Sequence, residues 1–142
     1  MNRIIVGSIA DAQRFQPTPG ERYAVLSFID VGCEPPKLER HDGFVERLVV
    51  HTDDCTPDDP PFAGRLLCPL SEAQARQIAR FVRANADRID TLVVHCHAGL
   101  SRSPGAATAI GEALQIAEIY MVNGENVIPN VHVRDLVRAA LE

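Results

Sequence analysis

The sequence predicts an α/β fold, with a mainly parallel central sheet of four to five strands flanked by helices on both faces. Three observations carry this. Short apolar, β-branched runs alternate with helix-length stretches along the chain, as they do when helices form the crossovers of a parallel sheet. Tyr23–Ile29 (YAVLSFI) and Leu92–Val94 are apolar enough to be buried strands. The length of 142 residues suits a single domain, 1–142, able to bury about two-thirds of its unfolded surface.

Taken in order, Arg3–Gly7 (RIIVG) is a short strand, and Ile9–Arg14 forms a helical turn before the loop Gln16–Gly20. The Tyr23–Ile29 strand ends at Asp30 and Gly32, and Pro35, Pro36 and Gly43 punctuate the next loop. Phe44–His51 holds another strand, strongest over Arg47–Val50. Thr52–Pro61 (TDDCTPDDPP) is a long acidic loop, since proline removes donors and aspartate favours turns. Ser71 and Gln74 have capping-box spacing ahead of an apolar stripe of Ala75, Ile78, Ala79, Val82 and Ala86. After the Leu92–Val94 strand, a helix is expected from Arg102 to about Leu114, with Pro104 in its first turn and the pattern extending through Ile116 to Tyr120 before Gly124 interrupts. Asn130 caps a final helix with Val133, Leu136, Val137, Ala140 and Leu141 facing inward.

Net charge is −5, which argues against nucleic acid or an anionic membrane as partner. No apolar run reaches membrane-spanning length and residues 1–10 lack a signal-peptide pattern, so the expected location is cytoplasmic. Cys33, Cys55, Cys68 and Cys96 show no paired C-x-x-C spacing. They are expected as thiols in a reducing compartment rather than as zinc ligands.

Thr91–Gly105 (TLVVHCHAGLSRSPG) concentrates the chemistry. Cys96 ends a strand, a small-residue loop follows, and Arg102 and Ser103 open a helix. Inward N–H groups, a helix N-terminus and a nearby arginine favour a thiolate over a thiol. The same N–H groups and the two-pronged guanidinium match the oxygens of a phosphate. A tetrahedral dianion would then sit above a sulfur poised for in-line attack. The cluster His95, Cys96 and His97 makes a poor metal site, because alternate strand residues point apart.

His95–Ser103 (HCHAGLSRS) resembles the H-C-x5-R-[S/T] signature of cysteine-dependent protein tyrosine phosphatases, and its ending is most similar to the compact dual-specificity branch and its bacterial relatives. More loosely, the resemblance covers Arg47–Leu114. It implies a protein tyrosine phosphatase-like fold and a metal-free, cofactor-free phosphomonoester hydrolase. Cys96 would be the nucleophile that forms a phosphocysteine, with Arg102 and the backbone of His97, Ala98, Gly99, Leu100 and Ser101 binding phosphate. Ser103 would assist departure of the thiolate, and His95 would hold the loop's shape. His97, at a variable position, would either touch substrate or face solvent. Phosphate or sulfate would fit the loop, and substrates would be phosphorylated proteins or small phosphomonoesters.

The resemblance also implies an aspartate general acid from a loop after an upstream strand. Asp53, Asp54, Asp58 and Asp59 are the candidates, with Asp54 favoured because it follows the strand directly. Its separation from Cys96 exceeds what compact family members usually show, so residues up to Leu70 would be an insertion. Cys55 or Cys68 could protect Cys96 through a disulfide. The competing readings are a phosphatase of a phosphoinositide, inositol phosphate or nucleotide, a sulfur-transfer or arsenate-reducing site, and a non-catalytic phosphate-binding module. The absence of lysine between His95 and Gly105 weighs against polyanionic substrates.

Overall fold

The structure is a computed structural model that describes residues 1–142. Five strands form one sheet: β1 (Arg3–Gly7), β2 (Tyr23–Ile29), β3 (Phe44–His51), β4 (Thr91–His95) and β5 (Glu118–Met121). Four α-helices connect or follow them: α1 (Ile9–Arg14), α2 (Glu72–Asn85), α3 (Arg102–Leu114) and α4 (Val131–Leu141). Every strand pair is parallel, and the spatial order is β3-β2-β4-β1-β5. The α/β architecture expected from the alternation of runs is therefore the one observed.

The two faces of the sheet differ. Ile4, Val6, Ala24, Leu26, Phe28, Leu92 and Val94 point to one side and pack with α2, α3 and α4 in the main core. Their alternates Tyr23, Val25 and Val93 point to the other side, where they meet Ala12 of α1, Phe15, Leu38 and Phe44. One face is thus covered by three helices, and the other by a six-residue helix together with the β2–β3 connection. Ser71 caps α2 through a reciprocal capping box with Gln74, as the spacing predicts. Asn130 caps α4 by accepting from the Val133 N–H.

One expectation is corrected. The helix after Arg102 does not run on to Tyr120. It stops at Leu114 because Gln115 takes a left-handed conformation (φ 56°), and Glu118–Met121 then pairs with β1 as edge strand β5. The exposed–intermediate alternation of this strand fits an edge position.

Chain order places the site. β4 enters the sheet late, between β2 and β1, so its carboxyl end is flanked by the ends of two strands formed from earlier sequence. Crevices of this kind, where strand order reverses, are where parallel sheets receive ligands. No helix is long and apolar enough to cross a membrane.

Candidate active site

The segment after β4 folds back over the end of β1. Gly99 has φ +73°, and a Cβ built there would lie 2.4 Å from the Gly7 carbonyl carbon and 2.6 Å from the Ser8 nitrogen. Only glycine permits both the backbone turn and the close approach. The loop's carbonyls are turned outward and engaged. His97 O accepts from Ile9 N (3.2 Å), Ala98 O from Asn123 Nδ2 (3.4 Å), Leu100 O from Ile128 N (2.9 Å) and Ser101 O from Asn130 N (2.9 Å). In a trans peptide each N–H points opposite the preceding carbonyl, so the N–H groups of Ala98, Gly99, Ser101 and Arg102 face the other side. Gly99 N–H donates to Cys96 Sγ at 3.2 Å. The N–H groups of His97, Ala98, Leu100, Ser101 and Arg102 donate to no protein atom.

Cys96 is buried, and its sulfur also lies 3.1 Å from Ser103 Oγ. Two donors therefore converge on Sγ when it carries negative charge. Ser101 gives α3 no side-chain cap, which leaves the positive end of that helix open toward the loop. Arg102, the first residue of α3, is 4% exposed. Its Nη1 donates to Asp30 Oδ1 (2.6 Å) and to the Thr52 carbonyl (2.7 Å). Its Nε–H is buried without any partner. A buried, unsatisfied donor on a cation is costly, and the guanidinium edge that carries it suits the two-pronged grip on an oxyanion.

Asp30 is the residue that the sequence did not mark for the site. It follows β2, the strand beside β4, and its carboxylate fixes Nη1 while leaving the other guanidinium edge unpaired. The signal lay in strand adjacency, which local pattern does not report. The His97 ring is partly exposed, and its Nε2 accepts from the Asp30 N–H at 3.2 Å, which fastens it to the end of β2. That bond requires the neutral ring, and the 3.7 Å separation from Asp30 Oδ2 is too long for a hydrogen bond.

His95 is fully buried beneath the loop. Its Nδ1 faces the Cys96 carbonyl at 3.2 Å and its Nε2 lies 2.7 Å from Ser27 Oγ. Ser27 Oγ in turn accepts from Arg47 Nε at 2.9 Å. These contacts are satisfied together when Nδ1 carries the proton and the Ser27 hydroxyl donates to Nε2. Burial above all, then Arg47, His97 and Arg102, push the ring's pKa down from 6.5 to about 4, against the opposing pull of the Cys96 carbonyl. The unfolded ring takes up a proton near pH 6.5 while the folded ring resists until about 4. Stability is therefore complete above pH 6.5 and declines as pH falls toward 4, by roughly 3 kcal/mol. Urea unfolding at about pH 7 and about pH 4.5 measures it. His95→Asn, neutral at both, is expected to flatten the difference.

The four candidate aspartates separate clearly. Asp53 is 3% exposed and holds the base of the loop that follows β3. It accepts from Arg65 through both oxygens (3.0 and 3.2 Å), from Cys68 N (2.8 Å) and from Val31 N (3.2 Å). The Arg65 bond, chiefly, holds its carboxyl below the usual carboxylate range. A fastened, ionised carboxylate is poorly suited to giving up a proton, which counts against Asp53 as the acid. Asp58 makes no salt bridge, and Asp59 accepts from Thr56 N within its own turn (2.9 Å). Asp54 stands at the rim of the Cys96 loop. It is exposed, and its Oδ1 accepts from Ser101 Oγ (2.8 Å) and from Asn130 Nδ2 (3.0 Å). Asn130, read from sequence only as a helix cap, thus also positions this carboxylate.

All four cysteines are thiols, with Cys55 and Cys96 buried and Cys33 and Cys68 exposed. Burial first, then Asp53, Asp59 and Asp54, push the Cys55 thiol up to about 11, so it is a weak nucleophile at neutral pH. No group of three or more His, Cys, Asp or Glu side chains is arranged to hold a metal ion. Among known proteins, no family matches the chain and no curated relative has significant similarity.

Proposed function

We propose that the protein is a phosphomonoester hydrolase of the protein tyrosine or dual-specificity phosphatase type, acting through a phosphocysteine on Cys96. One observation carries the reading: loop N–H groups and the Arg102 Nε–H are left without protein partners around a sulfur held by Ser103 and Gly99. That is a cradle for a tetrahedral oxyanion with a nucleophile at its base.

In this reading the Cys96 thiolate attacks phosphorus in line and a P–S bond forms as the ester P–O bond breaks. Asp54 gives its proton to the departing oxygen, so the alcohol or phenol leaves neutral. The Asp54 carboxylate then takes a proton from water, which attacks phosphorus and breaks the P–S bond. The Ser103 hydroxyl stabilises the returning thiolate, and inorganic phosphate leaves. Arg102 grips the equatorial oxygens through the guanidinium edge that Asp30 leaves unpaired.

Hydrolysis of p-nitrophenyl phosphate in the presence of a chelator tests the reading. Turnover that disappears with the chelator, or tight phosphopeptide binding without turnover, contradicts it. Asp54→Asn is expected to slow phenyl or alkyl phosphates by about 10²–10⁴-fold, and esters of good leaving groups far less. The two rates are read from steady-state kcat. Equal losses on both substrates would remove Asp54 from the acid role. The lack of lysine between His95 and Gly105 keeps polyanionic lipids and inositol phosphates behind phosphoproteins as substrates.

A further inference from the structure

The lightly covered face of the sheet holds an arginine without a counterion. Arg47 lies opposite Val25 in the β2–β3 register and so shares its face. Nε donates to Ser27 Oγ (2.9 Å) and Nη1 to the Pro36 carbonyl (3.1 Å). Nη2 is buried and donates to no protein atom. No carboxylate pairs with this guanidinium, although the chain's net charge is −5. Arg47 also lines a cavity of about 300 Å³ between β2, β3 and the β2–β3 connection. Tyr23, Val25, Leu38 and Phe44 form its apolar wall, and Lys37 and Arg40 add positive charge against the single carboxylate of Glu39. The Arg40 guanidinium stacks 4.9 Å above the Phe44 ring.

A partly buried cation left with an unpaired donor is expensive unless an anion completes it. A cavity with apolar walls and a few convergent polar groups is the usual form of a small-molecule site. We infer that this cavity binds a small organic anion, with its carboxylate on the Arg47 guanidinium and its apolar body against Tyr23, Leu38 and Phe44. Burial lowers the pKa of Arg47, in keeping with a charge that lacks its partner. The site is separate from the Cys96 loop and does not depend on the phosphatase reading. It is linked to that loop through the Arg47–Ser27–His95 hydrogen bonds, which end at the Cys96 carbonyl.

The test titrates 2-naphthoate into the full chain with excess inorganic phosphate present, so that an anion already occupies any phosphate site. Binding is followed by amide and arginine Nε–H resonances. Saturable binding is expected, with Kd on the order of a millimolar or lower. Shifts should centre on residues 37–47 and the Arg47 Nε–H. The neutral isostere 2-naphthylmethanol is expected to bind at least about tenfold more weakly, because it cannot complete the arginine. Arg47→Met is expected to weaken naphthoate by a similar factor, and the alcohol comparison in the unaltered protein covers the case in which that variant does not fold. No saturable shift, equal affinity for acid and alcohol, or shifts confined to residues 96–103 would each overturn the inference.

Discussion

Cys96→Ser is expected to lower kcat on aryl phosphates by about 10⁴-fold or more, as loss of a covalent nucleophile does elsewhere, while leaving binding of inorganic phosphate largely intact. The reasoning separates two functions of one loop. In the proposed mechanism the oxyanion is held by loop N–H groups and Arg102, and of these only the Gly99 N–H contacts the substituted atom. The attacking atom alone is exchanged, and serine's hydroxyl lacks a base to activate it, since His95 is fully buried with both ring nitrogens engaged. The side chains are close in volume, so folding stability should change by about 1 kcal/mol or less. Steady-state hydrolysis and phosphate calorimetry on the same preparation read both effects. A Cys96→Ser protein that still turns over aryl phosphate would end the phosphocysteine mechanism. One that loses both turnover and phosphate binding would show that the sulfur itself completes the cradle.

Gly99→Ala has the second large expected effect, and it follows from geometry whatever the substrate. The added methyl would sit 2.4 Å from the Gly7 carbonyl carbon and 2.8 Å from its oxygen, both backbone atoms of a central strand. Neither can rotate away as a side chain would. The residue must also hold φ +73°, which costs an L-residue about 1–2 kcal/mol. Overpacking adds a further ~1–3 kcal/mol. A loss of about 2–5 kcal/mol in urea unfolding is expected. Any displacement of the loop that survives folding should cost about 10²-fold in kcat/KM, because it moves the donors from their target. Gly20→Ala is the comparison: its φ is +81° but nothing lies within 4 Å of the added carbon. It should show only the backbone cost. If the two variants lose the same stability, the close approach of the loop to β1 is not what constrains position 99.

The contrast between these residues shows what sequence could deliver. Cys96, Gly99, Arg102 and Ser103 lie within eight positions, so spacing alone brought them together, and the alternation of runs was sufficient for the parallel sheet. What escaped depends on which strands become neighbours. Asp30 reaches Arg102 only because β4 inserts beside β2, and Arg47 reaches His95 only through Ser27 across two strand pairs. A serine in the otherwise apolar YAVLSFI run was the one local hint of that connection. The four aspartates after β3 are similar in composition and local context. They part ways through Arg65, Cys68, Ser101 and Asn130, partners that no spacing rule assigns. Strand β5 was missed because Gln115, neither glycine nor proline, ends α3 in a left-handed turn.

The late entry of β4 between β2 and β1 bears on how the protein refolds. The Cys96 loop rests on Gly7–Ser8, its arginine on Asp30 and Thr52, and its outer carbonyls on Ile128 and Asn130. Those supports are scattered through the chain, and closing such long-range contacts is the slow part of folding. A chain still assembling therefore carries the thiol without its cradle. If the loop binds an oxyanion as proposed, recovery of that binding during refolding would report the final closure of the sheet rather than the formation of any one helix or strand.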